Sequence, residues 1–366
     1  MGLSAGIVGL PNVGKSTLFN TITNSSVLAA NYPFATIEPN VGVVKVPDKR
    51  LNDLADLIKP DRITPAICTF VDIAGLVKGA SQGEGLGNRF LANIREVDAI
   101  CHVVRCFEQK DITHVYENVD PIRDVEVINY ELILADWESI EKRFSRVVAK
   151  SKSGDKQAMV EEKVCRNIMT SLKSNQFART VKMNEEEATI VKNYNLLTMK
   201  PVLYVANVNE SDVSNPEQNI HYQKLKDYVL KQNDQIVAIS ANIEYEISKL
   251  NDVDKQMFMD DLNIKEPGLN RLINTTYKLL NLATFFTFGK TETKAWTFIN
   301  GMTAPQCAGI IHTDFEKGFI KTEVIDYQDL LHWKTEAVVK ENGKLRIEGK
   351  EYIMRDGDVC HFRFNV

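Results

Sequence analysis

Residues 9–16, Gly9-Leu10-Pro11-Asn12-Val13-Gly14-Lys15-Ser16, match the pattern G-x-x-x-x-G-K-[ST]. The apolar run at 5–8 predicts a strand before them, and the run at 16–20 predicts a helix after them. In this strand–loop–helix setting the pattern indicates a phosphate-binding loop, in which Lys15 bridges β- and γ-phosphates and the Ser16 hydroxyl ligates Mg²⁺. The residues expected to bind the phosphates of a nucleotide are Asn12, Val13, Gly14, Lys15, Ser16 and Thr17.

A second apolar run, residues 66–71, predicts a buried strand that ends in an acid, Asp72, with Gly75 shortly after it. In switch-type nucleotidases such an acid holds Mg²⁺ through water, and the N–H of such a glycine contacts the γ-phosphate. Upstream, Thr36 would close over the metal ion when the γ-phosphate is present, unless it is an ordinary loop threonine. We therefore expect Ser16, Thr36 and Asp72 to hold the metal ion, and Lys15, Thr36 and Gly75 to take part in catalysis.

The composition is that of an ordinary globular chain of two or three domains, with 44% apolar and 25% charged residues among 366. The six cysteines are far apart and form no C-x-x-C pair, which predicts reduced, buried thiols. The first apolar run is too short to span a bilayer and lacks the basic residues of a signal peptide. We expect a cytoplasmic protein without a membrane partner.

The base-binding region is predicted at Asn207-Val208-Asn209-Glu210, which follows an apolar strand. Many P-loop GTPases read guanine with the tetrad N-K-x-D, whose Asp accepts hydrogen bonds from the guanine N1–H and 2-amino groups. Here Glu210 is one methylene longer than Asp, and Val208 lacks the lysine stem that covers the base. Adenine has neither donor, so this tetrad favours ATP, although equal tolerance of GTP stays open. Ser240 and Ala241, after the next strand, are expected to form a second loop beside the base.

These motifs together resemble the YchF family of Obg-like ATPases. The likeness covers essentially the whole chain and is carried by GLPNVGKST at 9–17, NYPFATIEPN at 31–40, DIAGLVKGASQGEGLGNRFL at 72–91 and NVNE at 207–210. The resemblance implies a P-loop ATPase that prefers ATP, a ribosomal partner and a C-terminal domain of the TGS type.

Hydrolysis is expected to be slow because Leu76 stands where Ras-like enzymes have the glutamine that orients the attacking water. His114 would position the water instead, the alternative being a solvated loop histidine. Asn12 would hold a K⁺ beside the phosphates, the alternative being a role in loop packing only. Arg89 or Arg95 would serve as an arginine finger in cis, but we expect a salt bridge on a helix for them instead.

A helical hairpin is predicted within the nucleotide-binding domain, at about 125–198. Its seam follows from the heptad spacing of Tyr130, Ile133, Trp137, Ile140, Phe144 and Val147. A break predicted at residues 151–155 precedes a second helical run. Residues 140–182 contain eleven Lys or Arg against four Asp or Glu, a net charge of +7, whereas the whole chain carries −5. This asymmetry favours a phosphate-rich partner, ribosomal RNA, held by the hairpin, unless the charges only solvate a helix face.

The C-terminal part changes to short strands, predicted at 284–288, 295–298, 318–325 and 359–364 with a turn in 324–331. We expect an α/β fold: a P-loop nucleotide-binding domain at 1–280 with an inserted α-helical hairpin (coiled coil), and a C-terminal β-grasp (TGS-like) domain at 281–366. The function predicted is a Mg²⁺-dependent ATPase, with K⁺ as an optional second cation, that regulates docking on the ribosome. The alternatives are a binding switch with incidental hydrolysis, a GTPase, or a metabolic phosphotransferase, for which the arginine-rich lid is lacking.

Overall fold

The computed structural model describes residues 3–25, 40–73, 86–109, 115–116 and 118–365, with the backbone alone at 86–88. Its described residues form twelve strands: β1 Ser4–Val8, β2 Val41–Lys45, β3 Arg62–Thr64, β4 Ile67–Asp72, β5 Ala99–Cys106, β6 Val202–Val208, β7 Gln235–Ile239, β8 Leu282–Thr287, β9 Glu292–Ile299, β10 Phe319–Asp326, β11 Arg346–Glu348 and β12 Asp358–Phe364. Over the same ranges there are fourteen α-helices: α1 Lys15–Asn24, α2 Lys49–Ile58, α3 Leu86–Glu96, α4 Pro121–Ser151, α5 Lys156–Lys173, α6 Glu185–Lys192, α7 Ile220–Lys231, α8 Ala241–Ile247, α9 Asp252–Asp261, α10 Gly268–Leu279, α11 Ala304–Ile311, α12 Thr313–Lys317, α13 Tyr327–Trp333 and α14 Glu336–Glu341.

The chain divides into two compact units. Unit 1 comprises Met1–Gly42 and Thr69–Leu272, and unit 2 comprises Val43–Cys68 and Ile273–Val366. The division therefore falls inside β2, β4 and α10, and it differs from the predicted boundary between residues 280 and 281. Sequence periodicity gave no sign that residues 43–68 would join the C-terminal segment.

The sheet associated with unit 1 has the strand order β2-β4-β1-β5-β6-β7. From β4 to β7 each strand is parallel to its neighbours, and β5 and β6 are buried along their whole length. Parallel strands buried on both faces are typical of α/β folds, and ligands bind there beyond the carboxyl ends of the strands. The α/β class is thus confirmed, and the carboxyl ends of β1, β4, β6 and β7 carry the predicted phosphate and base motifs.

Two long helices, α4 and α5, lie between β5 and β6 in the sequence and pack against each other. The Asp120 carboxylate accepts hydrogen bonds from the N–H groups at the start of α4, and Asp155 does the same for α5. Gly154 supplies a left-handed residue, φ 91°, in the short turn between them. The predicted break at 151–155 therefore coincides with the observed turn, while supercoiling of the pair stays a prediction.

The predicted seam is correct over the middle of α4 and wrong at its start. Ile133, Ile140 and Val147 are at most 5% exposed, but Tyr130 is 52% exposed. Helix α4 also packs on β5 and α7, and in its early turns a different face is buried, through residues such as Ile128 and Leu132.

Unit 2 is built around a six-stranded sheet of order β11-β10-β12-β8-β9-β3. The four predicted C-terminal strands correspond to β8, β9, β10 and β12 and are confirmed. The predicted turn in 324–331 is wrong, because β10 continues to Asp326 and α13 begins at Tyr327, capped by the Asp326 carboxylate. Strand β11 and the four short helices α11–α14 were not anticipated.

Two further observations agree with the composition. All six cysteines are buried and free, as predicted. None of the helices in the described ranges is long and apolar enough to cross a bilayer.

Candidate nucleotide site

The loop after β1 has the backbone that its glycines allow. Gly14 adopts a left-handed φ of 97° and Asn12 a φ of 62°, conformations that Gly adopts freely and Asn tolerates. A Cβ at Gly14 would overlap the side-chain amide of Asn207, so only glycine fits there. Helix α1 starts directly at Lys15, which brings its free N–H groups to the loop, as predicted.

Lys15 is held within the loop that it would serve. Its side chain is 8% exposed, and its Nζ donates hydrogen bonds to the carbonyls of Gly9 at 2.9 Å and Leu10 at 2.8 Å. Burial lowers the pKa of Lys15 to about 8, against the raising effect of the Asp72 carboxylate. An ammonium group has three donors, so one donor is left to reach a phosphate oxygen.

Asp72 ends β4 beside this lysine. Its Oδ1 is buried and has no hydrogen-bond partner among the described residues, while its backbone N–H donates to Asn40 O at 2.9 Å. Burial raises the pKa of Asp72, partly offset by Lys15. An unsatisfied buried carboxylate oxygen is costly unless a cation or a donor meets it. Together with the exposed hydroxyl-bearing Ser16, Asp72 offers the oxygen ligands that Mg²⁺ prefers.

Asn207 joins the two loops of the site. Its Nδ2 donates to Val13 O at 2.9 Å, and its Oδ1 accepts from Ala241 N at 3.0 Å. The residue is 5% exposed, so both hydrogen bonds are shielded from water. Asn207 thus fixes the phosphate loop against the loop at Ser240 and Ala241, using one of its two N–H donors and its carbonyl oxygen.

Of the two tetrad residues that differ from N-K-x-D, Val208 is buried and Glu210 is exposed. Strand β6 includes the first two tetrad residues, and Val208, its last residue, is only 2% exposed. Glu210 begins a short 3₁₀ turn and is exposed. Of the two tetrad positions that differ from a GTPase, only Glu210 therefore presents its side chain to the surface.

Glu244, in the helix that begins at Ala241, connects this helix to the start of α10, a role that the sequence analysis missed. The Glu244 carboxylate accepts from Gly268 N at 2.7 Å and Leu269 N at 3.1 Å, so it caps α10 from within α8. Burial raises its pKa, partly offset by these two hydrogen bonds. The signal available in the sequence was an acid in the first turn of a helix that starts at Ala241.

His102 was also missed. It lies on β5 next to Val8, is 2% exposed and stacks on Tyr204 with ring centroids 5.5 Å apart. Burial, assisted by the charge of Lys15, lowers its pKa to about 3, so it is a neutral packing residue near the phosphate loop.

Several predicted residues have no observed place in the site. Thr36, Gly75 and His114 lie outside the described residues, so their roles stay predictions. The expected salt bridge of Arg95 is not found among the described residues, where its guanidinium donates to the Asn195 carbonyl at 2.9 Å instead. Arg89 is exposed.

Two family models match the chain. One, described as "50S ribosome-binding GTPase", matches residues 4–135. The other, YchF-GTPase_C, described as a protein of unknown function, matches residues 282–365.

Whole-length relatives give a more specific result. The chain is 54% identical over 366 residues to a "Ribosome-binding ATPase YchF" of Bacillus subtilis, with all of both chains covered. It is 53% identical to the Mycoplasma genitalium protein of the same name, again over the full length of both. The structure of the Schizosaccharomyces pombe YchF GTPase superposes with a TM-score of 0.88 at 39% identity, covering 99% of this chain and 97% of that one.

Proposed function

The chain belongs to the YchF family, and from that membership we propose that it hydrolyses ATP in preference to GTP, as a slow regulatory switch on the ribosome. The bacterial relatives carry the name ribosome-binding ATPase, whereas the fission yeast relative is called a GTPase. Choice of base is therefore the part of the proposal that has to be argued from this chain's own residues.

The exposure of Glu210 is the observation that carries the base preference. Asn207 uses one N–H donor on the Val13 carbonyl and its oxygen on the Ala241 N–H; its second N–H would meet N7, an acceptor that adenine and guanine share, so Asn207 does not distinguish the two bases. Val208 is buried in β6, so no lysine stem lies over the base. Recognition of guanine would then rest on Glu210, whose carboxylate sits one methylene farther out than that of Asp. A site that does not satisfy the two guanine donors leaves them unpaired, at about 1–3 kcal/mol each, and this favours adenine.

In the proposed reaction, water attacks the γ-phosphorus while the bond to the β–γ bridging oxygen breaks, and ADP, phosphate and a proton leave. Lys15 draws charge from the β- and γ-phosphate oxygens, and the N–H groups at the start of α1 hold the β-phosphate. Ser16, Asp72 and Thr36 would hold Mg²⁺, which would neutralise charge on the phosphates. The unsatisfied Oδ1 of Asp72 supports this assignment.

Slow turnover follows from Leu76, which cannot hydrogen-bond water, and His114 is our candidate for the group that positions it. Asn12 is the candidate ligand for a K⁺ beside the phosphates. A switch whose hydrolysis is incidental is the second candidate function, and it is separated from the first by turnover with and without ribosomes. Stimulation by ribosomes supports a hydrolytic cycle coupled to docking, and an unchanged rate supports the binding switch.

The remaining parts of the proposal rest on family membership. We assign the sheet of unit 2 to a β-grasp of the TGS type and the pair α4–α5 to a coiled-coil hairpin. Association with ribosomes implies a cytoplasmic protein.

Calorimetric titration of ATP and GTP in parallel tests the base preference. We expect ATP to bind at least tenfold tighter, about 1.4 kcal/mol. Glu210→Asp should lower the ratio of ATP affinity to GTP affinity. The double variant Glu210→Asp with Val208→Lys should lower this ratio further. Val208→Lys buries an ammonium group and costs stability, so melting curves accompany that variant. Glu186→Asp, the same change at an exposed position on α6, is the matched control. Equal affinities for ATP and GTP in the unmodified protein would contradict the proposal.

A further inference from the structure

A groove of about 640 Å³ lies between α3 and α4, within unit 1 and apart from the nucleotide-binding residues described above. Its wall on α3 is formed by Leu91 and Ala92, with Arg95 near the end of the helix. Its wall on α4 is dominated by cations: Lys142, Arg143, Arg146 and Lys150. Two acids line it, Glu138 and Glu161.

Two of the five cations already have a structural partner. Arg143 forms an ion pair with Glu161 at 3.0 Å and lies 4.0 Å above the ring centroid of Tyr194. Arg95 donates to the Asn195 carbonyl, and Lys200 Nζ donates back to the Arg95 carbonyl at 3.1 Å. These contacts hold both walls in place, so the groove is formed in advance of any ligand.

The other three cations form what we call the basic row: Lys142, Arg146 and Lys150. All three are exposed, and none has an ion pair within the described part of the chain. They recur every four residues on one face of α4, at about 6 Å per step along the helix. Like charges at this spacing repel each other, at about 0.2–0.5 kcal/mol per pair. Lys150 also sits in the last turn of α4, where a cation suits the helix dipole, but this explanation does not reach Lys142 and Arg146.

We propose that this groove binds a single strand of ribosomal RNA through its phosphodiester backbone, with successive phosphates along the basic row. A straight row of separated cations matches an extended polyanion better than a compact one. Contacts to phosphates position a strand without reading its sequence, so binding is independent of base. This inference rests on the proposed ribosome association and adds where, and to which chemical group, the contact is made.

The test compares two triple variants of the full-length protein. The groove variant is Lys142→Gln, Arg146→Gln and Lys150→Gln. The control variant is Lys156→Gln, Lys173→Gln and Lys182→Gln, which removes the same charge from the same basic segment at exposed positions outside the groove. The probe is a fluorescein-labelled oligouridylate, titrated in saturating Mg²⁺ and ADP so that it cannot occupy the nucleotide site, over roughly 50 to 200 mM salt.

The groove variant should bind the probe on the order of tenfold more weakly. The slope of its plot of log affinity against log salt should be smaller by about 2, because each of three lost phosphate contacts contributes about 0.7 to the slope for a single strand. The control variant should differ from the unmodified protein by less than threefold. Purified ribosomal subunits should give the same ranking in co-sedimentation.

Other results overturn the inference. Equal losses in both variants would mean that the whole basic segment acts through its net charge. Tripolyphosphate that binds more tightly than the probe would make the groove a small-anion site. Loss of ribosome binding in the groove variant with unchanged binding of the probe would point to a ribosomal protein. ATP affinity is measured on every variant, so that a failure of the ATPase proposal is seen separately from a failure of this one.

Discussion

The charged and polar groups of the nucleotide site differ from those of the groove in how the fold treats them. The side chains of Lys15 and Asn207 are shielded from water and hydrogen-bonded to backbone atoms of neighbouring loops, and Asp72 Oδ1 is buried as well. The basic row is exposed and unpaired over the described residues. Where the fold encloses a polar group, removing it disturbs both stability and binding. Where the fold leaves a cation exposed among like charges, removing it costs only binding. The two sites should therefore respond to substitution with different signatures.

The largest expected effect is at Lys15. Lys15→Ala removes the ammonium group that would meet the β- and γ-phosphates, and charged hydrogen bonds contribute about 1.5–3 kcal/mol each. We expect Mg²⁺–ATP affinity to fall on the order of a hundredfold, measured by calorimetry. Lys45→Ala, at an exposed position on β2, is the control and should bind normally. Affinity within threefold of normal for Lys15→Ala would remove the phosphate loop from the mechanism.

A smaller effect, but on two properties, is expected at Asn207. Asn207→Ala leaves Val13 O and Ala241 N without their partner in a buried place, at about 1–3 kcal/mol for each unsatisfied group. We expect lower thermal stability together with weaker binding of both ATP and GTP, at an unchanged ratio between them. Asn209→Ala, two residues on and only half-buried, should change stability little. If Asn207→Ala altered the ratio of the two affinities, Asn207 itself would read the base, and Glu210 would lose its assigned role.

The strand, loop and helix that carry the candidate nucleotide site could be predicted because their sequence signals are local. Strand, loop and helix at residues 4–24 follow one another along the chain, and each is specified by neighbouring residues. The same holds for the Asp72 strand and for the turn with its cap at Asp155. Glu244 was missed because its partners, Gly268 and Leu269, are more than twenty residues away and carry no side-chain signal.

Unit 2 was predicted only in part because its assembly is non-local. Strand β3 pairs with β9, and the Thr64 hydroxyl donates to Glu292 Oε1, 228 positions along the chain, at 2.6 Å. Arg50 on α2 bridges Asp48 and Asp356 in the same way. No periodicity within residues 43–68 records these partners. The segment between the predicted ligands Thr36 and Asp72 consequently belongs largely to unit 2, which no motif indicated.

The smallest expected effect is the most diagnostic of the contrast between the two sites. Arg146 has a cation four residues away on either side, so Arg146→Gln relieves two like-charge repulsions of about 0.2–0.5 kcal/mol each. We expect urea unfolding to show a protein that is slightly more stable, while affinity for the oligouridylate falls about threefold, the value of one exposed ionic contact.

Arg143→Gln is the matched comparison, because it breaks the ion pair with Glu161 and the contact with Tyr194. It should lower stability and leave the salt dependence of RNA binding nearly unchanged. A stability loss at Arg146 as large as that at Arg143 would show that the row serves the helix itself. A gain in stability in Arg146→Gln is the outcome expected if Arg146 destabilises α4 and serves to bind a partner.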